Sequence, residues 1–235
     1  MNISWIVLDL GGPVLHEDIF DRHAREMFHG IATKHGATAT RDDVDKIWRK
    51  AIDQHSPSIT EFVAWEVSKK NARVANAMER DFQAAFKALP PERLIELFPP
   101  TSGMEGVLPA LASDYSLALV GNEGAWVRKI LEKHKMTGFF KQIVLAEDAG
   151  FRKPDTRFFE AVLKKAGCPA NEAVVVGDTI CMDVFPAKLL GLATVRHHVG
   201  YAAWQEARGT FELPDKVLDS MEELPGVLEE LKEEM

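Results

Sequence analysis

Four short, nearly unbroken apolar runs punctuate the second half of the chain: YSLALVG (115–121), QIVLA (142–146), EAVVVG (172–177) and LATVRH (192–197). They are rich in Val, Leu and Ile and near-continuous in apolar residues, so they predict strands buried on both faces rather than ones with a wet side. Around them lie stretches with helical spacing: GMEGVLPALASD (103–114), EGAWVRKILEKHK (123–135), PDTRFFEAVLKKAG (154–167) and DVFPAKLLG (183–191). Doubly buried strands alternating with helices form βαβ units, whose sheet is parallel and covered on both sides. The opening run WIVLDL (5–10) has the same character and belongs to the same sheet. The expected fold class is α/β, a doubly wound parallel-sheet core of Rossmann-like kind.

Residues from about 17 to 97 do not share that rhythm. EDIFDRHAREMFHGIATKHG places Ile19, Phe20, Ala24, Met27 and Ile31 at helical spacing and ends on Gly36. TRDDVDKIWRKAIDQH, SITEFVAWEVSKKN and ANAMERDFQAAFKALP continue in the same way, each bounded by a cap residue or proline. Pro90-Pro91 and Pro99-Pro100 bracket a further short helix. The expected division is an α/β core from residues 1–15 and 99–235 and an inserted α-helical cap from 16–98, with Trp48, Phe62 and Trp65 in the core of that cap.

Composition narrows the function. With 235 residues, 46% of them hydrophobic, a large packed core is within reach. A formal charge of −8 without a basic cluster argues against nucleic acid as partner. No apolar segment approaches the roughly 20 residues that span a bilayer, and the N-terminus does not read as a signal peptide. Cys168 and Cys181 form no metal-type or redox-type pair. A cytoplasmic location is the expectation, and the sequence leaves the oligomeric state open.

In open parallel sheets, ligands bind beyond the carboxyl ends of the strands. The first strand ends in Asp9, then Gly11 and Gly12; the second in Gly121-Asn122-Glu123-Gly124; the third leads to EDAGFRKPD with Lys153; the fourth to GDTICMD with Asp178 and Asp183. Each residue alone has an ordinary explanation: Asp9 as a turn former, Asp183 as a helix cap, Lys153 as a solvated lysine. Folding does not require them together. Clustered carboxylates repel unless a hard cation sits among them, and oxygen ligands with substrate phosphate are how Mg²⁺ is usually held.

In this order, Asp9 after its strand, the turn at Gly121-Asn122, Lys153 in RKPD and the acids of GDTICMD resemble the four motifs of the haloacid dehalogenase superfamily, helical-cap type. The likeness covers nearly the whole chain, including the tail DKVLDSMEELPGVLEEL, similar to the family's last strand and helix. It implies a phosphatase of small phosphorylated metabolites working through an aspartyl-phosphate. Asp9 would be the nucleophile. Asp9, the Gly11 carbonyl and Asp178 would hold Mg²⁺, with Asp183 in support. Lys153 would balance charge, and N–H groups around Gly121 and Asn122 would bind the phosphoryl group.

Two motifs depart from the family's pattern. Gly11 stands where these phosphatases usually carry a second Asp as acid–base, a group contributing typically ~10²–10⁴-fold. Pro13 removes a backbone donor, and Gly121 replaces the usual Ser or Thr hydroxyl. His16 or Glu17 is a candidate replacement acid on cap closure; alternatively only good leaving groups turn over. The missing second Asp also resembles the family's dehalogenases, which attack carbon without metal, but GDTICMD does not. A catalytically silent homologue that binds a phosphorylated ligand or a protein is the third alternative.

Overall fold

The computed structural model describes residues 2–234. Six strands, β1 (Trp5–Asp9), β2 (Ser116–Gly121), β3 (Gln142–Leu145), β4 (Ala173–Gly177), β5 (Ala193–His197) and β6 (Lys216–Leu218), form one sheet. Their order is β3-β2-β1-β4-β5-β6 and every pairing is parallel. The fold class expected from the apolar runs is therefore the one observed. The apolar residues of β1, β2 and β4 are almost wholly buried, Ile6, Leu8, Leu117, Leu119, Val174 and Val176 at 0% exposure among them. Such strands need helices on both faces, which explains why they read as unbroken apolar runs.

The chain divides into two compact units. One runs from Glu17 to Phe98 and contains α1 (Asp18–Lys34), α2 (Arg41–Asp53), α3 (Ile59–Val67), α4 (Ala72–Lys87) and α5 (Pro91–Leu97). Local chemistry sets these boundaries. Thr40 closes a capping box with Asp43 at the start of α2, and Ser58 and Asn71 cap α3 and α4 through bonds from the backbone of Glu61 and Val74. Pro91 occupies the first turn of α5, where its missing N–H costs nothing. Phe28, Trp48, Val63, Met78 and Phe82 fill the interior. Trp65 differs from expectation: it is 41% exposed, because α3 turns Val63, Ala64 and Val67 inward and leaves Trp65 on the outer side.

The other unit comprises residues up to His16 and from Pro99 onward and holds the whole sheet. Its helices are α6 (Met104–Asp114), α7 (Val127–Lys133), the single-turn α8 (Ala146–Ala149), α9 (Thr156–Ala166), α10 (Phe185–Leu189) and α11 (Leu224–Glu234). Against one sheet face, Phe158, Phe159 and Val162 of α9 pack on Val7, Val120, Val144 and Val175. No helix among the described residues is long and apolar enough to cross a membrane.

Sequence order reverses direction across the β1–β4 pair: β2 and β3 follow on one side, β5 and β6 on the other. A crevice opens at such a switch point beyond the carboxyl ends of the strands. Asp9 ends β1 and Asp178 follows β4 directly, so the two strands flanking the switch each deliver a carboxylate to it.

Candidate active site

Asp9 is 7% exposed. Its Oδ1 accepts from the Leu10 N–H at 2.7 Å and faces Lys153 Nζ at 2.7 Å. Lys153, 4% exposed, also contacts Asp183 Oδ1 at 2.6 Å, so one ammonium lies between two carboxylates. Burial alone pulls the Lys153 pKa down, but Asp183 and Asp9 outweigh it and the net shift is upward. The Asp9 carboxyl is pushed well above the ordinary range by burial, then by Asp183, with Lys153 only partly opposing. Two anions share a single cation, and neither is fully compensated.

Asp183 is wholly buried and lies within a π-helical turn, Ile180–Val184, preceding α10. Its Oδ2 accepts from the backbone N–H and the hydroxyl of Thr179, at 3.1 and 2.7 Å. Asp183 is therefore not the cap of α10, whose N-cap residue is Val184; one oxygen ties the turn back to Thr179, while Oδ1 is committed to Lys153. Asp178 is 4% exposed, and its carbonyl accepts from Arg196 Nε at 3.1 Å. Asp9, Asp178 and Asp183 each offer a carboxylate oxygen within 4.8 Å of the others, all three residues buried.

Glycine is required where these acids converge. Gly12 has φ +75°, and a Cβ there would come within 2.7 Å of the Asp178 side chain. The same turn is pinned by Thr101, whose hydroxyl donates to the Gly12 carbonyl at 2.7 Å. Gly11, expected to offer its carbonyl, is buried in this turn and bridges to Leu15.

Asn122 has a clearer structural role than the sequence suggests. Its Nδ2 donates to the Lys153 carbonyl at 2.9 Å, and its Oδ1 accepts the Lys153 N–H at 2.8 Å. This two-point clamp fixes the main chain that carries the lysine. Gly121, just before it, ends β2, whose neighbour β1 ends in Asp9.

Other contributors were not apparent from the motifs. Arg196, on β5, is 7% exposed and spans from the Asp178 carbonyl to the Ala202 carbonyl, 2.6 Å from Nη2. Burial lowers its pKa, with Asp178 opposing. Gln205 accepts the Ile180 N–H at 2.7 Å and so holds the turn bearing Asp183. Glu123 brings a fourth carboxyl group, electrostatically linked to Asp9, Lys153 and Asp183. An arginine inside an apolar strand was a readable signal for the first; nothing local marks the other two.

His197 is 2% exposed and held toward its neutral form by burial, while His198 is exposed and bonds Asp219 and the Ala203 carbonyl. His16 ends the core unit, its N–H donating to the Pro99 carbonyl at 2.7 Å, and Glu17 is the N-cap residue of α1.

The profile of the haloacid dehalogenase-like hydrolases matches residues 29–196, and the chain belongs to that family. Over 96 residues it is 36% identical to a glyceraldehyde 3-phosphate phosphatase of Methanocaldococcus jannaschii, a stretch covering 41% of each chain. Over 115 residues it is 34% identical to a phosphoglycolate phosphatase of Pseudomonas syringae pv. syringae, covering 48% of this chain and 41% of that one. The matched stretch thus spans about two fifths of the length of these two relatives. A haloacid dehalogenase-like hydrolase from Streptococcus pneumoniae shares the fold with TM-score 0.75, at 15% identity, over 96% of this chain and 98% of that one.

Proposed function

We propose that the protein is a Mg²⁺-dependent phosphatase of small phosphorylated metabolites with Asp9 as nucleophile. The observation that carries this reading is the buried trio Asp9, Asp178 and Asp183 with one lysine among them. Ionised, three carboxylates beside one lysine ammonium gather an excess of negative charge at one buried point. A hard dication with oxygen ligands suits that donor set. Asp9, the Gly11 carbonyl and Asp178 would hold Mg²⁺, with Asp183 in support, and the bound ion would neutralise the phosphoryl oxygens. Phosphatases of two substrates among the relatives support the same substrate class.

The remaining chemistry falls to the chain's own groups. Lys153 keeps the Asp9 carboxylate oriented and offsets the charge that the phosphoryl group adds. Backbone N–H groups around Gly121 and Asn122 receive its non-bridging oxygens. Asp9 attacks phosphorus, the bond to the leaving oxygen breaks, and the phosphoryl group stays on Asp9 as an aspartyl-phosphate. Water then attacks phosphorus, restoring Asp9 and releasing inorganic phosphate. Gly11 offers no acid to the leaving group, so acyl and aryl phosphates are expected to turn over fastest. The helical unit, 17–98, serves as the cap in this reading.

The test is phosphate release across a panel of phosphorylated metabolites, with and without Mg²⁺, beside Asp9→Asn. Metal-dependent release that disappears in the variant is expected. Release that survives in Asp9→Asn, or halide release from 2-haloacids in its place, would overturn the proposal.

A further inference from the structure

Gly121 leaves a space at the end of β2, and another residue fills it. A Cβ built on Gly121 would overlap Oε2 of Glu123, with Leu10 Cβ at 3.4 Å on its other side. The Glu123 side chain is therefore folded back onto the strand end rather than extended into solvent. Leu10 directly follows Asp9, and its N–H bonds the Val120 carbonyl at 2.9 Å, so this strand end lies alongside that of the nucleophile. Oε2 is buried and has no hydrogen-bond partner among the described residues. Asn122 and Glu123 also line an open cleft of about 400 Å³ with Gly124, Phe151 and Arg152. Glu123 thus lines the cleft and interacts electrostatically with Asp9, Lys153 and Asp183.

We propose that Glu123 is a substrate-binding residue whose carboxyl group, seated in the space left by Gly121, donates its O–H to a non-bridging oxygen of the bound phosphoryl group. This rests on the phosphatase reading above and adds a binding residue to it. An ionised carboxylate here would repel phosphate and offer no donor, so the acid form is the useful one. Burial is the main influence raising the Glu123 pKa, and Asp183 adds to it. Lys153, the residue's own N–H and Arg152 oppose, with a net upward shift. Because Oε2 holds no other partner, turning its O–H toward substrate breaks no existing bond. Glycine at 121 is what makes the arrangement possible: any larger residue would displace the carboxyl.

The experiment measures inorganic phosphate binding by calorimetry in the full chain with Mg²⁺, from about pH 5 to about pH 9, together with phosphate release from the best substrate. Glu123→Gln keeps a neutral donor that does not titrate. It is expected to bind more weakly than wild type at the acid end and more tightly at the alkaline end. Wild-type affinity, relative to Gln, should fall by up to about tenfold per pH unit once the free carboxyl ionises. Glu123→Ala should lose about ten- to a hundredfold at the acid end, and Gly121→Ser/Glu123→Ala should recover much of it without the extra pH dependence. Equal or tighter binding in Glu123→Ala, or parallel pH curves for wild type and Glu123→Gln, would overturn the proposal. If Glu123→Ala does not fold, the Gln curves decide alone. Failure of the phosphatase reading is separate: wild type would then release no phosphate from any substrate, and Asp9→Asn would change nothing.

Discussion

Replacing Lys153 with Met removes the one ammonium between Asp9 and Asp183 while keeping a side chain of similar length. Two contacts, at 2.7 and 2.6 Å, disappear from a site where the lysine is 4% exposed. Three carboxylates then face one another with oxygens within 4.8 Å, so each ionised pair repels by at least about 3.5 kcal/mol at an effective dielectric of about 20. Proton uptake limits the damage, since a carboxyl that becomes neutral escapes the repulsion. Breaking a buried pair by removing one partner costs about 3–5 kcal/mol. For a chain of this size, that corresponds to a fall in Tm of about 6–20 °C. Thermal melts of wild type and Lys153→Met in chelator, then with Mg²⁺, check the figure. Mg²⁺ should raise the Tm of the variant more than that of wild type, because it meets more unbalanced charge. A variant that melts within about 2 °C of wild type in chelator would refute the charge-balance argument, since ~1 kcal/mol or less is what a surface pair contributes.

Three further outcomes are expected. Gly12→Ala forces φ +75° on a residue with a Cβ that would lie 2.7 Å from the Asp178 side chain. It should cost about 1–3 kcal/mol in denaturant unfolding and weaken any Mg²⁺-induced stabilisation by displacing Asp178. Asn122→Ala removes both bonds that hold the Lys153 main chain; kcat/KM for phosphate release should fall about ten- to a hundredfold through misplacement of the lysine, and unchanged kcat/KM would refute the clamp. Asp215 accepts from the Thr194 N–H and hydroxyl at 2.8 and 2.9 Å and pairs with Lys188. Burial alone would raise its pKa, but these bonds outweigh it and hold it below the usual carboxylate range. A depressed folded pKa stabilises above the unfolded value and is lost as pH falls through the folded one. Asp215→Ala should therefore cost about 1–3 kcal/mol at neutral pH, and the gap from wild type should narrow below about pH 4.

Much of the fold was legible because its cause is local. A strand covered on both faces is mostly apolar, so β1, β2 and β4 announce themselves as nearly unbroken runs, and such strands oblige helices between them. The carboxyl ends of those runs then named Asp9, Lys153, Asp178 and Asp183 as neighbours, since a doubly wound sheet gathers its strand ends on one edge. Trp65 could not be placed the same way, because in a short helix a one-position choice of inward face decides which aromatic is buried.

The sequence by itself determined the parallel sheet, the helical stretch between residues 17 and 97, and the carboxylates and lysine that meet at the switch point. Tertiary structure alone decided how those groups are held. Asn122 clamps Lys153 across 31 positions, Thr101 pins Gly12 across 89, and Arg196 reaches the Asp178 carbonyl across 18. Nothing in local periodicity encodes such pairings, because each depends on where separate strands and turns come to rest. Glu123 shows the same limit most plainly: in the sequence it is one polar residue in a turn, and only the missing side chain of Gly121, once folded, shows where its carboxyl goes.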